Sequence, residues 1–304
     1  MELPGAAVSG VLFLGCLLGY GLLAVYVERK IAAWVQDRQG PMETGPYGIF
    51  QTLADLLKLL RKQESLPATA LRGLFLGAPI LAFAASVSTW SWLPFLSPSA
   101  KGPYGLWLAL TVLSLEGAAV FIGGWSSGSK YALLGAYRLL VALLAYELIL
   151  TLLLLAVLAH YGTFDLEAIA LAQRHQPGLL QSPFLLLAAG LWLAAGILVA
   201  HRAPFDLPET ESELVAGAFT EYSGLRFALF MLSEYVVLLI EAVWVSWVFL
   251  GGLLAVPFLV LLKILLRWAW PRWRPDQVLT LAWHYGIPLA FIAWIGEMAW
   301  MRTS

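Results

Sequence analysis

The chain has 304 residues, 61% of them hydrophobic and only 12% charged, with a mean hydropathy of +0.80 and a formal net charge of −1. That balance excludes an ordinary soluble domain, and it gives no sign of a nucleic-acid partner. The single cysteine, Cys16, lies in an apolar run and reads as a small core residue, so a disulfide framework and a Cys-based metal site are both excluded.

Charge-free runs occupy residues 3–27, 73–100 and 175–201. Each is long enough to cross a hydrocarbon core of about 30 Å, which takes ~20 residues of helix. The first run has no basic flank before it and no small-residue cleavage pattern after it. It is therefore expected to be a retained span, not a signal peptide. In chain order, eight spans are expected near residues 5–27, 73–96, 104–124, 131–159, 183–201, 225–249, 252–269 and 279–301. No strand-like alternation is sustained, so the expected fold class is all-α: a polytopic membrane protein whose helices satisfy their own backbone in lipid. Residues 1–304 are expected to form one integral membrane domain with two substantial loops, 28–72 and 202–224.

Within the first loop, residues 47–62 read YGIFQTLADLLKLLRK, too short and too polar to span. Gln51, Asp55, Lys58 and Lys62 fall on one helical stripe, and Ile49, Leu53, Leu56, Leu57 and Leu60 fall on the other. This predicts an amphipathic helix lying in the membrane interface, either as a rim around an opening or as a surface anchor. The preceding GPMETGPYG predicts a compact turn.

Several charged residues fall inside expected spans: Glu116, Arg138, Glu147, Glu234, Glu241 and Glu297. Each costs roughly 2.5–3.5 kcal/mol near the bilayer centre on insertion scales, so such residues usually face a bundle interior or a water-filled path. Glu234 and Glu241 are seven residues apart and share a helix face. Two like charges in an apolar site favour keeping a proton on one of them, which suits a proton relay. Glu147 follows Tyr146, whose hydroxyl could bond a carboxyl. Glu297 is expected to reach the interface at its helix end.

Residues 202–224 read RAPFDLPETESELVAGAFTEYSG, with five carboxylates (Asp206, Glu209, Glu211, Glu213 and Glu221) against one Arg. This density suggests charge handling at the membrane face, the plainer reading being a solvated loop. Fourteen Lys and Arg are assigned to loops on the side of this segment, Lys263 and Arg267 among them, against Lys101, Arg174 and Arg302 on the other. The richer side should be cytoplasmic, with both termini outward. No Gly-x-Gly-x-x-Gly or Walker loop is present. The four His lack ligand-like spacing, so they read as interfacial or satisfied, without support for haem or metal.

Two blocks carry a resemblance. The first holds Glu28-Arg29-Lys30, Arg38-Gln39-Gly40-Pro41, Gly45-Pro46-Tyr47-Gly48 and the QTLADLLKL stretch from Gln51. The second holds PFDLPETESELVAG from Pro204, then Glu221-Tyr222-Ser223-Gly224 and FALFMLSEY from Phe227. SKYALLGA from Ser129, Tyr146-Glu147 and PRWRPDQ from Pro271 extend the match over nearly the whole chain. By these motifs the chain resembles the membrane-embedded H-subunit of bacterial respiratory complex I, the NADH-quinone oxidoreductase. It differs at Met42 and Glu43, where the family usually has Asn and a basic residue, and at Gln63, where an acid is common.

The resemblance implies a bacterial plasma-membrane protein that docks under a peripheral arm of quinone-module and iron–sulfur subunits, beside other membrane subunits and lipid. Its substrate would be a quinone, ubiquinone or menaquinone, with no metal, flavin or haem in this chain and no redox centre of its own. Arg29, Arg38, Asp55, Lys58 and Phe227 would line the quinone chamber. Asp206, Glu209, Glu211, Glu213 and Glu221 would form an acidic funnel, continued in the bilayer by Glu147 and Glu234, with Glu241 beyond on the shared face. Related assemblies fed by ferredoxin or built around a hydrogenase remain open, since the electron donor binds elsewhere. A stand-alone carrier should show inverted repeats, and none is found.

Overall fold

In a computed structural model, residues 3–93, 102, 104–208 and 216–303 are described. Eleven helices can be traced among them: α1 (Leu3–Val35), α2 (Gln51–Arg61), α3 (Arg72–Thr89), α4 (Gly105–Ser126), α5 (Lys130–Tyr161), α6 (Leu166–Ala172), α7 (Gly178–Gln181), α8 (Pro183–Val199), α9 (Gly224–Leu250), α10 (Val256–Ala269) and α11 (Pro275–Thr303). Short 3₁₀ turns occur at Pro46–Gly48, Trp90–Trp92 and Gly217–Phe219, and α11 carries a π-helical segment at Leu281–Gly286. Among the described residues there is no strand.

Every one of the eight expected spans is helical over most of its length. Six of the helices (α1, α3, α4, α5, α9 and α11) are long and apolar enough to cross a membrane; α8 is a shorter apolar helix of 17 residues and α10 has 14. The amphipathic segment forms α2, entered by a turn in which Gly45 and Gly48 take left-handed conformations (φ 75° and 77°). The carbonyl of Pro41 lies where a side chain at Gly48 would stand, so only glycine fits there.

Helix α9 is the central post: 78% of its most apolar window is buried, against 17% for α1. It packs on α3 and α8 and touches α2, α10 and α1. Helices α1 and α11 instead present apolar side chains outward, among them Val11, Leu12, Leu23, Ile292 and Ile295, as suits contact with lipid. Cys16 shares that outward face of α1 and is exposed, which corrects its reading as a core residue.

Close packing between α4 and α5 rests on small residues, the usual device where lipid removes the hydrophobic drive for helices to associate. Gly124, Ala132, Gly135 and Ala136 form a seam that receives the Gly217–Phe219 turn. A Cβ on Gly135 would stand 2.7 Å from the Ala218 nitrogen, and one on Gly124 would stand 2.8 Å from the Ala132 carbonyl. The seam thus holds the C-terminal end of the acidic loop against the bundle. Tyr222 fastens the same end: its buried hydroxyl reaches the carbonyls of Phe75 (3.1 Å) and Gly123 (3.3 Å) while its ring stacks on Phe75. Burial pushes this hydroxyl above its ordinary range, so it stays a donor.

Helix α5, the α7–α8 corner and α11 are tied together by polar groups. His160 lies 2.8 Å from Glu297 and 2.7 Å from Gln181, and Ser182 donates to the other Glu297 oxygen. Glu297, expected to reach the interface, does not project outward: it is fully buried and held by partners from outside its own helix.

Overpacking the seam should be costly. We expect Gly135→Val to lower stability by roughly 1–3 kcal/mol, read as a lower thermal transition of the purified assembly. An unchanged transition would mean that the turn docks elsewhere.

Candidate functional site

Between α1, α2, α9 and α10 lies a cavity of about 420 Å³. Its walls are apolar: Leu22 and Val25 of α1, Leu56 and Leu59 of α2, and Phe227, Met231 and Leu232 of α9. At its mouth are Arg29, Arg38 and Asp55. Its floor is a set of buried charges.

The mouth is built by a cross-link between the first helix and the amphipathic one. Arg29 donates to Asp55 at 2.6 Å, which fixes α2 alongside α1. Lys30 donates to the Pro41 carbonyl at 2.7 Å, and Thr44 donates to Gln51 at 2.5 Å, so the intervening turn is pinned at both ends. Lys58 stands 4.0 Å from Asp55 but is largely exposed and lies outside the cavity lining.

At the floor, Glu28 accepts from Arg267 and from the Tyr235 hydroxyl (2.8 Å), and Arg202 comes within 3.5 Å of it. The same Arg202 lies 3.3 Å from Glu234 and stacks 3.9 Å above the Tyr235 ring. Two carboxylates are thus compensated by two guanidiniums, with Glu28, Arg202 and Glu234 almost completely withdrawn from solvent. Buried ions of this kind persist only when each is paired and hydrogen-bonded.

The neighbours in sequence of Arg202 and Glu234 make a second contact. His201 Nε2 is 3.2 Å from one oxygen of Glu116, and Ser233 donates to the other at 3.0 Å. The dipeptides His201-Arg202 and Ser233-Glu234 therefore face each other across the end of α8 and the start of α9, with Glu116 of α4 captured beside them. Tyr146 stands next, within the electrostatic reach of Glu116, Glu147 and Glu241.

The sequence-predicted residues distribute as follows. Arg29, Arg38, Asp55, Phe227 and Glu234 share the cavity. Glu147 lies apart, in a small cavity of about 120 Å³ between α4 and α5 with Ser114 and Thr111. Asp206 is buried and paired with Arg272. Glu221 is half-buried in the turn before α9, and Glu209, Glu211 and Glu213 lie outside the described residues. Glu234 and Glu241 are not a pair of bare like charges, because each faces its own cation: Arg202 for the first and Lys263 for the second.

That last point corrects the assignment of Lys263 to a loop. It sits inside α10 and is 2% exposed. Sequence reasoning also passes over Glu28, Arg202 and Arg267 as cavity-floor groups, and His201 as the partner of Glu116. Glu28 and Arg202 carry a signal, being the first charges met after long apolar runs. Among the described residues, no group of three His, Cys, Asp or Glu is placed to hold a metal.

Chemically, the site offers a lipid-compatible slot with guanidinium donors at its mouth and a charge-balanced floor. The family model described as NADH dehydrogenase matches residues 8–297. The chain is 34% identical to the second NADH-quinone oxidoreductase H-subunit of Cytophaga hutchinsonii, over 96% of this chain and 98% of that one. It is 38% identical to the H-subunit of Chlorobium luteolum, over 93% and 85%, and 38% identical to that of Geobacillus kaustophilus, over 93% and 90%. The chain belongs to the H-subunit family of the NADH-quinone oxidoreductases.

Proposed function

We propose that the chain forms the membrane-side quinone chamber of a proton-pumping NADH:quinone oxidoreductase and couples quinone reduction to proton movement in the bilayer. The observation that carries this is the joining of an apolar slot to a buried ion-pair floor within one cavity. A quinone has an isoprenoid tail that needs apolar walls and two carbonyls that accept hydrogen bonds. Leu56, Leu59, Phe227 and Met231 offer the walls, and Arg29 and Arg38 offer donors at the mouth.

Reduction to the quinol takes up two electrons and two protons. Negative charge arising on the head draws on Arg202 or Arg267, and a guanidinium that turns toward the head leaves Glu28 or Glu234 short of a partner. An unpaired buried carboxylate is relieved by taking a proton. Charge then passes to Glu116 and His201, which abut the same two segments, and through Tyr146 toward Glu147 and Glu241. Asp206, Glu209, Glu211, Glu213 and Glu221 carry the acidic stretch on the side where protons are taken up. The carboxylates respond as a coupled group rather than singly.

In this reading the protein lies in a bacterial plasma membrane with both termini outward. The face bearing α2, Lys58 and the acidic loop meets the peripheral arm and its iron–sulfur subunits, and the apolar flanks meet lipid and other membrane subunits. The electrons come from those partners; this chain supplies the chamber and the charge network.

Two outcomes follow. A tail-bearing photoactivatable quinone should label α1, α2 and α9 within the assembly, and Asp55→Asn, which frees Arg29, should raise the quinone KM roughly tenfold. Labelling confined to other subunits, with an unchanged KM, would refute the chamber. Separately, Glu116→Gln should lower the number of protons moved per NADH in proteoliposomes, and a wild-type ratio would remove Glu116 and His201 from the path.

A further inference from the structure

Lys263 and Glu241 are two oppositely charged side chains buried outside the cavity floor, at 2% and 0% exposure. They come from adjacent helices, α10 and α9, and meet at a third. Glu241 Oε2 and Lys263 Nζ stand 2.8 and 3.1 Å from the point where a Cβ on Gly196 of α8 would lie, so the absence of a side chain there makes room for both charges. One turn earlier on α8, Trp192 donates its indole N–H to the same Oε2 at 3.1 Å. Three helices thus build one polar chamber in an otherwise apolar core.

The pair is not arranged as a simple clamp. A clamp would bring ammonium and carboxylate into direct contact. Here Lys263 Nζ has no hydrogen-bond acceptor among the described residues, and Glu241 Oε1 has no donor. The two instead face each other across the space beside Gly196 and attract electrostatically. A compact ammonium in this state can give up its proton, which a guanidinium cannot do. The carboxylate that can take it is that of Glu241, whose Oε2 is held by Trp192 and whose Oε1 has no donor among the described residues.

Both partners are tied to the cavity floor along their own helices. Arg267, which bonds Glu28, is four residues from Lys263 on α10, one turn away on the same face. Glu234, which faces Arg202, is two turns from Glu241 on α9, about 10 Å along the axis.

We propose that Lys263 and Glu241 form a second, deeper proton-holding pair, which closes to contact and exchanges a proton between ammonium and carboxylate in response to charge at the cavity floor. In one state the pair is ammonium and carboxylate. In the other the proton has moved from nitrogen to oxygen, leaving a neutral amine and a carboxylic acid, with no other reactant required. The inference rests on the quinone-coupling reading above and adds Lys263 to it as the residue that lets Glu241 change its protonation.

Two variants of the whole assembly test this in proteoliposomes, with protons moved per NADH as the readout and native gels reporting assembly. Lys263→Arg keeps the positive charge but not the exchangeable proton. Glu241→Gln combined with Lys263→Met removes both charges, a change that buried pairs often tolerate in stability. We expect both to assemble and both to lose protons per NADH. A wild-type ratio in either overturns the proposal and leaves a purely structural pair. Should neither assemble, infrared difference spectra of the wild-type assembly with isotopically labelled lysine decide the matter: a lysine band that changes on quinone reduction supports the exchange, and its absence overturns it. A wild-type assembly that reduces quinone without moving protons overturns the underlying reading, and the inference with it.

Discussion

Arg202 is the group on which the site's organisation depends. Its guanidinium reaches Glu28 of α1 and Glu234 of α9 and lies flat on Tyr235, so one side chain from the end of α8 joins three helices. An ion in this setting is expensive unless fully compensated, and removing one partner of a buried pair typically costs about 3–5 kcal/mol. That cost keeps the floor of the cavity in register. It also makes the floor responsive, since any new negative charge competes directly for a guanidinium already shared between two acids.

The surrounding packing serves this arrangement. The α4–α5 small-residue seam and Tyr222 anchor the segment entering α9, and thereby Ser233 and Glu234. The Arg29–Asp55 bond sets α2 at the distance from α1 that leaves a slot between them. Polar and charged groups that look isolated along the chain find partners far away in sequence: His160 with Glu297, His201 with Glu116, Arg272 with Asp206. Such pairing is what a membrane interior demands of ionisable groups.

Much of this architecture is legible in the chain itself. Long charge-free runs mark the helices, because a hydrocarbon core tolerates little else. The period of residues 47–62 marks α2, and Gly45 and Gly48 mark the turn, because few other residues tolerate left-handed backbone. Partners are not legible. Glu234 and Glu241 share a face, which suggests mutual repulsion, but Arg202 and Lys263 arrive from other helices and cancel it. Lys263 reads as a loop residue because basic side chains usually lie there. Its neighbours, Leu259 and Ile264, are buried and argue against that. Glu297 reads as outward-reaching from its distance to the helix end, whereas His160, 137 residues earlier, keeps its carboxylate within the bundle. Pairings of this span depend on how helices are arranged around one another, which periodicity along one helix does not encode.

Coupling through this site requires the cavity floor to rearrange when the slot is occupied. The most direct measurement is a pair of high-resolution structures of the assembly, one empty and one with a quinone reduced in place. We predict that the ring sits between α1, α2 and α9 and that Arg202 moves off Glu234 in the reduced state. A quinone bound elsewhere, or an Arg202 still held between Glu28 and Glu234 beside a reduced ring, would contradict the coupling described here.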